Sequence, residues 1–235
     1  MGVVIVAAGQ GKRVGGAVPK QYRDLAGVPM LLRAIRPFAA HPEVGHTVVV
    51  LPAADIASPP PWLTELLGGA LSIVAGGAER TDSVRLGVAA LPEGCDVVLV
   101  HDAARPLVER ALIDAVVAVA RGGEGAIPAL PVGDTLKEAV APERLAEVGA
   151  GAVTPGPVVA RTIPRDRLWQ AQTPQGFPRA VLERAHANAR GAGIQGTDDA
   201  MLVERLGVPV RLVPGSAWNL KVTTEDDLRL AERLL

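Results

Sequence analysis

An open α/β fold with a mostly parallel sheet covered by helices on both faces is predicted by three features of this 235-residue sequence. Short Val/Ile/Leu runs lack polar alternation, as expected of strands buried on both sides. Longer amphipathic stretches separate those runs, which is the pattern of an alternating α/β sandwich. The length suits one large domain, and a globule of this size buries roughly 70–75% of its unfolded surface without help from disulfides or metals.

The strands are expected at Val3–Val6, Thr47–Leu51, Leu71–Val74, Val97–Val100, Gly125–Leu130 and Val208–Val213. Helices are expected at 28–40, 80–90, 108–121, 178–190, 198–206 and 224–234. Pro178 at a first turn, Asp198 as a cap, and Thr224 followed by Glu225-Asp226-Asp227 give three of them credible starts. The stretch Ser58-Pro59-Pro60-Pro61 is expected to be a loop. From Val132 to Arg167, glycines and prolines interrupt any helix, yet Val158-Val159-Ala160 and Thr162-Ile163 have an extended pattern. So long a structureless loop is uncommon inside a domain. The segment is therefore expected to be an excursion that finds its packing partner elsewhere, such as on a second subunit, with a mobile surface loop as the alternative. The whole chain, 1–235, is expected to form one domain carrying this inserted arm at about 132–167.

Charge excludes several functions. Lys plus Arg number 24 and Asp plus Glu 25, a net charge of −1, so there is no strong positive field for coating nucleic acid or an anionic membrane. Aromatic residues make up 3%, too few for a base-stacking platform. A single cysteine, Cys95, rules out an internal disulfide and any cysteine-based zinc cluster. Met1–Val6 has no basic leader region and its apolar run stops at a glycine turn, so neither a signal peptide nor a membrane span is expected, and Val6 stands where a myristoylation site needs Ser or Thr. A cytoplasmic location is the expectation.

Four segments carry chemistry. The first is Val6-Ala7-Ala8-Gly9-Gln10-Gly11-Lys12-Arg13 with Pro19-Lys20-Gln21-Tyr22. Small residues after strand one let backbone N–H groups approach an anion, and Lys12, Arg13 and Lys20 supply the charge that a triphosphate needs. This is not a P-loop, because Val6 and Arg13 occupy its required Gly and Ser/Thr positions. Nor is it a dinucleotide fingerprint, because Val14 stands at the third glycine. The second segment, Val97–Pro106, delivers Asp102 at the carboxyl end of a buried strand, where ligands bind in open α/β sheets. Asp102 is suited to hold Mg²⁺ against phosphate oxygens, or else to cap a turn or pair with Arg105. His101 has no partner motif and is expected to be a packed histidine. In the third segment, Gly76–Arg85, a glycine pair could expose backbone groups to a base edge with Ser83 adding a hydroxyl, while Thr81 or Ser83 could equally serve as a helix cap. The fourth, Asn219–Leu228, places Lys221 in a short strand before the last helix, facing either an anion or solvent.

In this order and spacing the segments resemble the 2-C-methyl-D-erythritol 4-phosphate cytidylyltransferase family of the non-mevalonate isoprenoid route. Further matching stretches are Asp134-Thr135-Leu136-Lys137, Leu168–Gln175, Thr197-Asp198-Asp199-Ala200 and Asn219-x-Lys221-Val222-Thr223, so the likeness covers nearly the whole chain. The resemblance implies a Rossmann-like homodimer that transfers CMP from CTP to a polyol phosphate, with Mg²⁺ and without nucleic acid or membrane partners. Ala7, Ala8, Gly9, Gly11 and Ala103 would line the nucleotide with Lys12 and Arg80, and Gly77 and Ser83 would select cytosine. Arg13 and Lys20 would hold the triphosphate. Asp102 would hold the metal and, with Lys221, lie at the acceptor. Arg105, Thr135 and Arg165 would complete the acceptor phosphate site, Thr135 and Arg165 from the partner subunit. The arm is about a dozen residues longer than usual, which leaves Arg161 as a rival to Arg165. A cytidylyltransferase for another polyol phosphate, such as ribitol 5-phosphate, has the same expected motifs. A non-catalytic nucleotide-binding regulator is the alternative from a different class, disfavoured by the joint presence of Arg13, Lys20, Asp102 and Lys221.

Overall fold

The computed structural model describes residues 1–9, 18–140 and 157–235. In chain order the strands are β1 (Gly2–Val6), β2 (Asp24–Leu25), β3 (Val28–Pro29), β4 (His46–Leu51), β5 (Leu71–Ala75), β6 (Val97–Asp102), β7 (Gly125–Pro131), β8 (Leu136–Ala139), β9 (Val159–Ile163), β10 (Trp169–Ala171), β11 (Gln175–Pro178) and β12 (Val210–Pro214). The helices are α1 (Met30–Ala39), α2 (Pro61–Thr64), α3 (Arg80–Ala89), α4 (Arg110–Arg121), α5 (Arg179–Gly191), α6 (Asp199–Glu204) and α7 (Glu225–Arg233).

The chain divides into two units, Met1–Ala129 with Ala171–Leu235, and Leu130–Gln170. In the first, the sheet order is β5-β4-β1-β6-β11-β7, with β12 also on β7. β1 pairs in parallel with β4 and β6, β4 with β5, and β12 with β7. β11 runs antiparallel between β6 and β7. Alternate residues of β1 enter opposite cores. Val3 and Ile5 pack with Leu31, Ile35 and Phe38 of α1 and Ile113 of α4. Val4 packs with Val84 and Val88 of α3 and Leu182 of α5. Each fully buried side chain of this kind contributes about 1.5–3 kcal/mol, and two-sided burial is why these strands show no polar alternation.

Asp198 caps α6 by accepting from Met201 N at 2.9 Å, and Thr224 with Asp227 forms a reciprocal capping box on α7. Three expectations need correction. Pro178 is not in the first turn of α5: it ends β11 and precedes the helix, so its missing N–H falls at the junction. Neither Thr81 nor Ser83 caps α3, whose N-cap residue is Glu79. Lys221 stands on no strand: residues 220–223 are irregular backbone, tied down by Val222 N donating to Ala104 O at 2.8 Å.

In the second unit β8 and β9 form an antiparallel ladder with an irregularity at Glu138/Ala139. Lys137 Nζ donates to Thr162 Oγ1 at 2.7 Å, and Arg161 pairs with Glu138 across the ladder. The extended pattern at 159–163 is thus a strand, with a partner that the charged Leu136–Ala139 pattern did not announce. β7 and β10 carry the chain out of the first unit and back.

Candidate functional site

β1 is flanked by β4 on one side and β6 on the other, so the connections diverge at its carboxyl end and open a crevice there. A cavity of about 330 Å³ occupies this place, walled by the ends of β1 and β6, the turn into α3, and the segment before α7. Ala7 N donates to Val50 O at 2.8 Å and Ala103 N to Val6 O at 3.1 Å, which holds both strand ends open toward the cavity. Ala7, Ala8, Gly9, Lys20, Gly77, Arg80, Ser83, Asp102, Ala103 and Lys221, all expected at the site, line it together. They are drawn from four distant parts of the chain.

The β5–α3 turn explains why two glycines stand there. A Cβ on Gly76 would lie 2.4 Å from Ala8 Cβ, and one on Gly77 would lie 2.3 Å from Asp82 Cβ. Gly77 N donates to Ser83 Oγ at 3.1 Å, and Ser83 Oγ donates to Glu79 O at 3.1 Å. The hydroxyl therefore builds the turn and keeps one lone pair for a ligand.

Asp102 ends β6 with a side chain 12% exposed. Its Oδ2 lies 2.6 Å from Lys221 Nζ, and its Oδ1 lies 3.4 Å from both Nε and Nη2 of Arg80. Burial alone would raise its pKa, but the charges of Arg80 and Lys221 outweigh burial and hold the carboxyl well below its usual range. Asp102 is therefore an ionised acceptor between two cations; the expectation that it could pair with Arg105 is not met. Lys20 sits in a short 3₁₀ turn, Lys20–Tyr22, behind Pro19, and its Nζ donates to Val222 O at 2.7 Å. That bond ties the first loop to the segment carrying Lys221, as does the Arg23–Glu225 ion pair at 2.8 Å.

His101 is packed, as expected. His101 Nε2 faces the carbonyl of Arg105 at 3.0 Å and so donates to it, which leaves Nδ1 of the neutral ring to accept from Thr173 Oγ1 at 3.0 Å, while that hydroxyl accepts from Asp102 N. Burial pushes its pKa down to about 4, so the ring is neutral at neutral pH. Arg105, expected at the acceptor phosphate, is held by two backbone carbonyls. Its guanidinium is buried, with Nη1 donating to Asn219 O at 2.7 Å and Nη2 to Ala171 O at 3.3 Å, and it is not among the cavity-lining residues. Thr135 and Arg165 belong to the second unit, Thr135 just ahead of β8 and Arg165 two residues past β9. Gly11, Lys12 and Arg13 lie outside the described residues.

Among the described residues no three His, Cys, Asp or Glu side chains cluster in the manner of a protein-built metal cage. The donor set nonetheless fits Mg²⁺, which commonly takes one or two carboxylates and completes its shell with substrate phosphates and water. Asp102, ionised at the cavity wall, is the carboxylate that meets this description. Gln21, Glu79 and Thr223 stood in the sequence motifs without a role of their own and Met30 stood outside them; all four also line the cavity. Nor did the sequence give a role to Asp199, which accepts from Arg80 Nη1 at 2.8 Å.

A crevice at a strand switch point, with small residues and cations around one ionised acid, suits a nucleoside triphosphate, and together with the family match it makes the chain a nucleotidyltransferase. The chain belongs to the IspD family, 2-C-methyl-D-erythritol 4-phosphate cytidylyltransferase, whose model matches residues 1–235. It is 45% identical over 233 residues to the 2-C-methyl-D-erythritol 4-phosphate cytidylyltransferase of Frankia casuarinae, covering 99% of this chain and 80% of that one. The crystal structure of the 2-C-methyl-D-erythritol 4-phosphate cytidylyltransferase from Thermus thermophilus aligns with a TM-score of 0.77 at 35% identity, over 98% of this chain and 96% of that one. The chain is also 44% identical over 239 residues to the bifunctional enzyme IspD/IspF of Rhodospirillum rubrum; the match takes in 98% of this chain but spans 56% of that protein.

Proposed function

We propose that this cytidylyltransferase transfers CMP from CTP to 2-C-methyl-D-erythritol 4-phosphate, releasing pyrophosphate and 4-diphosphocytidyl-2-C-methyl-D-erythritol. The nucleotide faces the β1 and β5 turns, and its phosphates face Lys20, Arg80, Asp102 and Lys221. The observation that carries the reading is that Lys20, Arg80 and Lys221 line one cavity with the ionised Asp102, which Arg80 and Lys221 flank directly.

An oxygen of the acceptor's phosphate attacks the α-phosphorus of CTP. The new P–O bond forms as the bond to the bridging oxygen of pyrophosphate breaks and takes the electron pair with it. A phosphate monoester is largely ionised at neutral pH, so no base need remove a proton, in keeping with a neutral His101 whose nitrogens are both engaged. The difficulty is repulsion between two anions, and catalysis consists of positioning and of positive charge aimed at the transition state. Lys20 offsets the charge on the α-phosphate, Lys221 guides the incoming phosphate beside Asp102, and Arg13 assists the departing pyrophosphate. Bound Mg²⁺ would neutralise charge on the phosphates of CTP, with Asp102 as its protein ligand. Arg105 acts on the acceptor side indirectly, by holding the backbone at Asn219 two residues before Lys221. The segment 132–167 is a dimerisation arm that brings Thr135 and Arg165 to the acceptor phosphate of the partner subunit. Phosphorylated substrates and a lone cysteine support a cytoplasmic setting.

Pyrophosphate release from CTP with Mg²⁺ tests this, with methylerythritol phosphate and ribitol 5-phosphate assayed side by side and the product weighed by mass spectrometry. Release with methylerythritol phosphate and a cytidylyl adduct of its mass are expected. Turnover with the ribitol ester alone, or with neither, refutes the proposal.

A further inference from the structure

The motif Thr197-Asp198-Asp199-Ala200 has no part in the reaction as drawn, yet it meets the site through one side chain. Asp199 begins α6 and is 1% exposed. Its carboxylate is divided between two donors, Oδ2 accepting from Arg80 Nη1 at 2.8 Å and Oδ1 from His186 Nε2 at 3.0 Å. The backbone beneath it is fixed as well, since Gln175 Oε1 accepts from both Asp199 N and Ala200 N at 3.0 Å. Gln175 lies on β11, in register with Val100 of β6, so the start of α6 is fixed against the strand that carries Asp102.

The other edge of the Arg80 guanidinium faces Asp102 at 3.4 Å through Nε and Nη2. A guanidinium favours a close bidentate grip on a carboxylate. Here the shorter contact goes to the buried Asp199, and Asp102 receives only a loose approach. We propose that Asp199, oriented by His186, is a positioning residue: it restrains Arg80 so that this cation lines the nucleotide pocket without closing onto Asp102. The role rests on the proposed placement of CTP in this cavity.

The test is steady-state kinetics together with calorimetric CTP binding in Mg²⁺ without acceptor. Asp199→Asn should raise both KM and Kd for CTP by roughly 10- to 100-fold, the scale of losing an outer partner that orients a site residue. The acceptor KM should move by less than about threefold, and in an Arg80→Ala background the same substitution should change CTP binding by less than about threefold, because the coupling runs through Arg80. His186→Gln, which keeps a donor toward Asp199, should bind CTP nearly as the unaltered chain does, whereas His186→Phe should bind roughly tenfold more weakly. Unchanged CTP affinity in Asp199→Asn, a loss that persists without Arg80, or equal shifts in both KM values would overturn the proposal. If Asp199→Asn does not fold, equal CTP affinity in the two His186 variants overturns it and a difference between them supports it. Lys20→Ala and Asp102→Asn keep the two readings apart. Full activity in both removes the placement of CTP, whereas impaired activity there beside a normal Asp199→Asn removes only the positioning role.

Discussion

Replacing Lys20 by alanine removes the ammonium proposed to face the α-phosphate, and the size of the effect follows from where that ammonium sits. At about 4 Å and an effective dielectric near 20, one cation and one phosphoryl oxygen attract by about 4 kcal/mol, nearly three powers of ten in rate if the attraction is realised only in the transition state. Lys20 Nζ also donates to Val222 O at 2.7 Å, so part of its hydrogen-bonding capacity is used before substrate arrives. The expected fall in kcat is therefore roughly two to three orders of magnitude, matching the loss of one preorganised donor. The lost tether to Val222 costs about 1 kcal/mol, which lowers Tm by about 2–4 °C in a chain of this size. Continuous pyrophosphate detection at saturating CTP and acceptor measures the first effect and calorimetry the second. A kcat within about threefold of the unaltered enzyme, at the scale of an ordinary surface change, would refute Lys20 as the principal catalytic cation.

Arg165→Ala should raise the acceptor KM by roughly tenfold or more, while Arg161→Ala should leave it nearly unchanged because Arg161 is paired with Glu138 across the β8–β9 ladder; the reverse result in acceptor titrations would exchange the two. Gly77→Ala should weaken CTP binding by about tenfold or more, since the added methyl would meet Asp82 Cβ at 2.3 Å and the turn must shift; unchanged affinity by calorimetry would show that the turn does not contact the nucleotide. Stability should fall between pH 6.5 and about 4: the folded chain keeps His101 neutral down to about pH 4, while the unfolded chain takes up a proton below about 6.5. The contribution, about 3 kcal/mol at most, is complete above pH 6.5 and lost on acidification, so His101→Leu should flatten urea midpoints across that range, and an unchanged slope would count against it. Chelating divalent metal should abolish turnover, and Asp102→Asn should raise the Mg²⁺ concentration needed for half-maximal rate; full activity in excess EDTA would remove the metal from the scheme.

What the sequence disclosed follows the physics of burial. Val3–Val6 and Val97–Val100 lie between two helical layers, and a residue type that must be apolar on both faces leaves an unmistakable run. β11 left none: its four residues, Gln175-Gly176-Phe177-Pro178, include one large apolar side chain and gain their place from pairing with β6 and β7 rather than from composition. The short strand expected around Lys221 does not form: Val222 beside it is buried by packing with Leu25, Met30 and Leu228, with no ladder. Asp102 could be picked out because a charge at the end of an apolar run is conspicuous, and Lys20 because it belongs to a cluster of basic residues around a glycine-rich turn. Arg105 looked the same in sequence as Lys20, and only the fold shows that its Nη1 and Nη2 donate to the carbonyls of Asn219 and Ala171. Asp199 was visible as part of a motif, but its role depends on Arg80, 119 positions earlier, turning its guanidinium inward.

The four side chains proposed to face the phosphates come from positions 20, 80, 102 and 221, and the bond from Lys20 to Val222 spans 202 positions. During translation the first three leave the ribosome well ahead of the fourth, after every strand of the large sheet has been made. A growing polypeptide can already pair β1, β4, β5 and β6 while it lacks both Lys221 and the carbonyl that Lys20 grips. The pocket is thus finished later than the strands whose ends frame it, and a message truncated shortly before residue 221 loses both the Lys221 ammonium and the packing of Val222 and Leu228 on Leu25 and Met30.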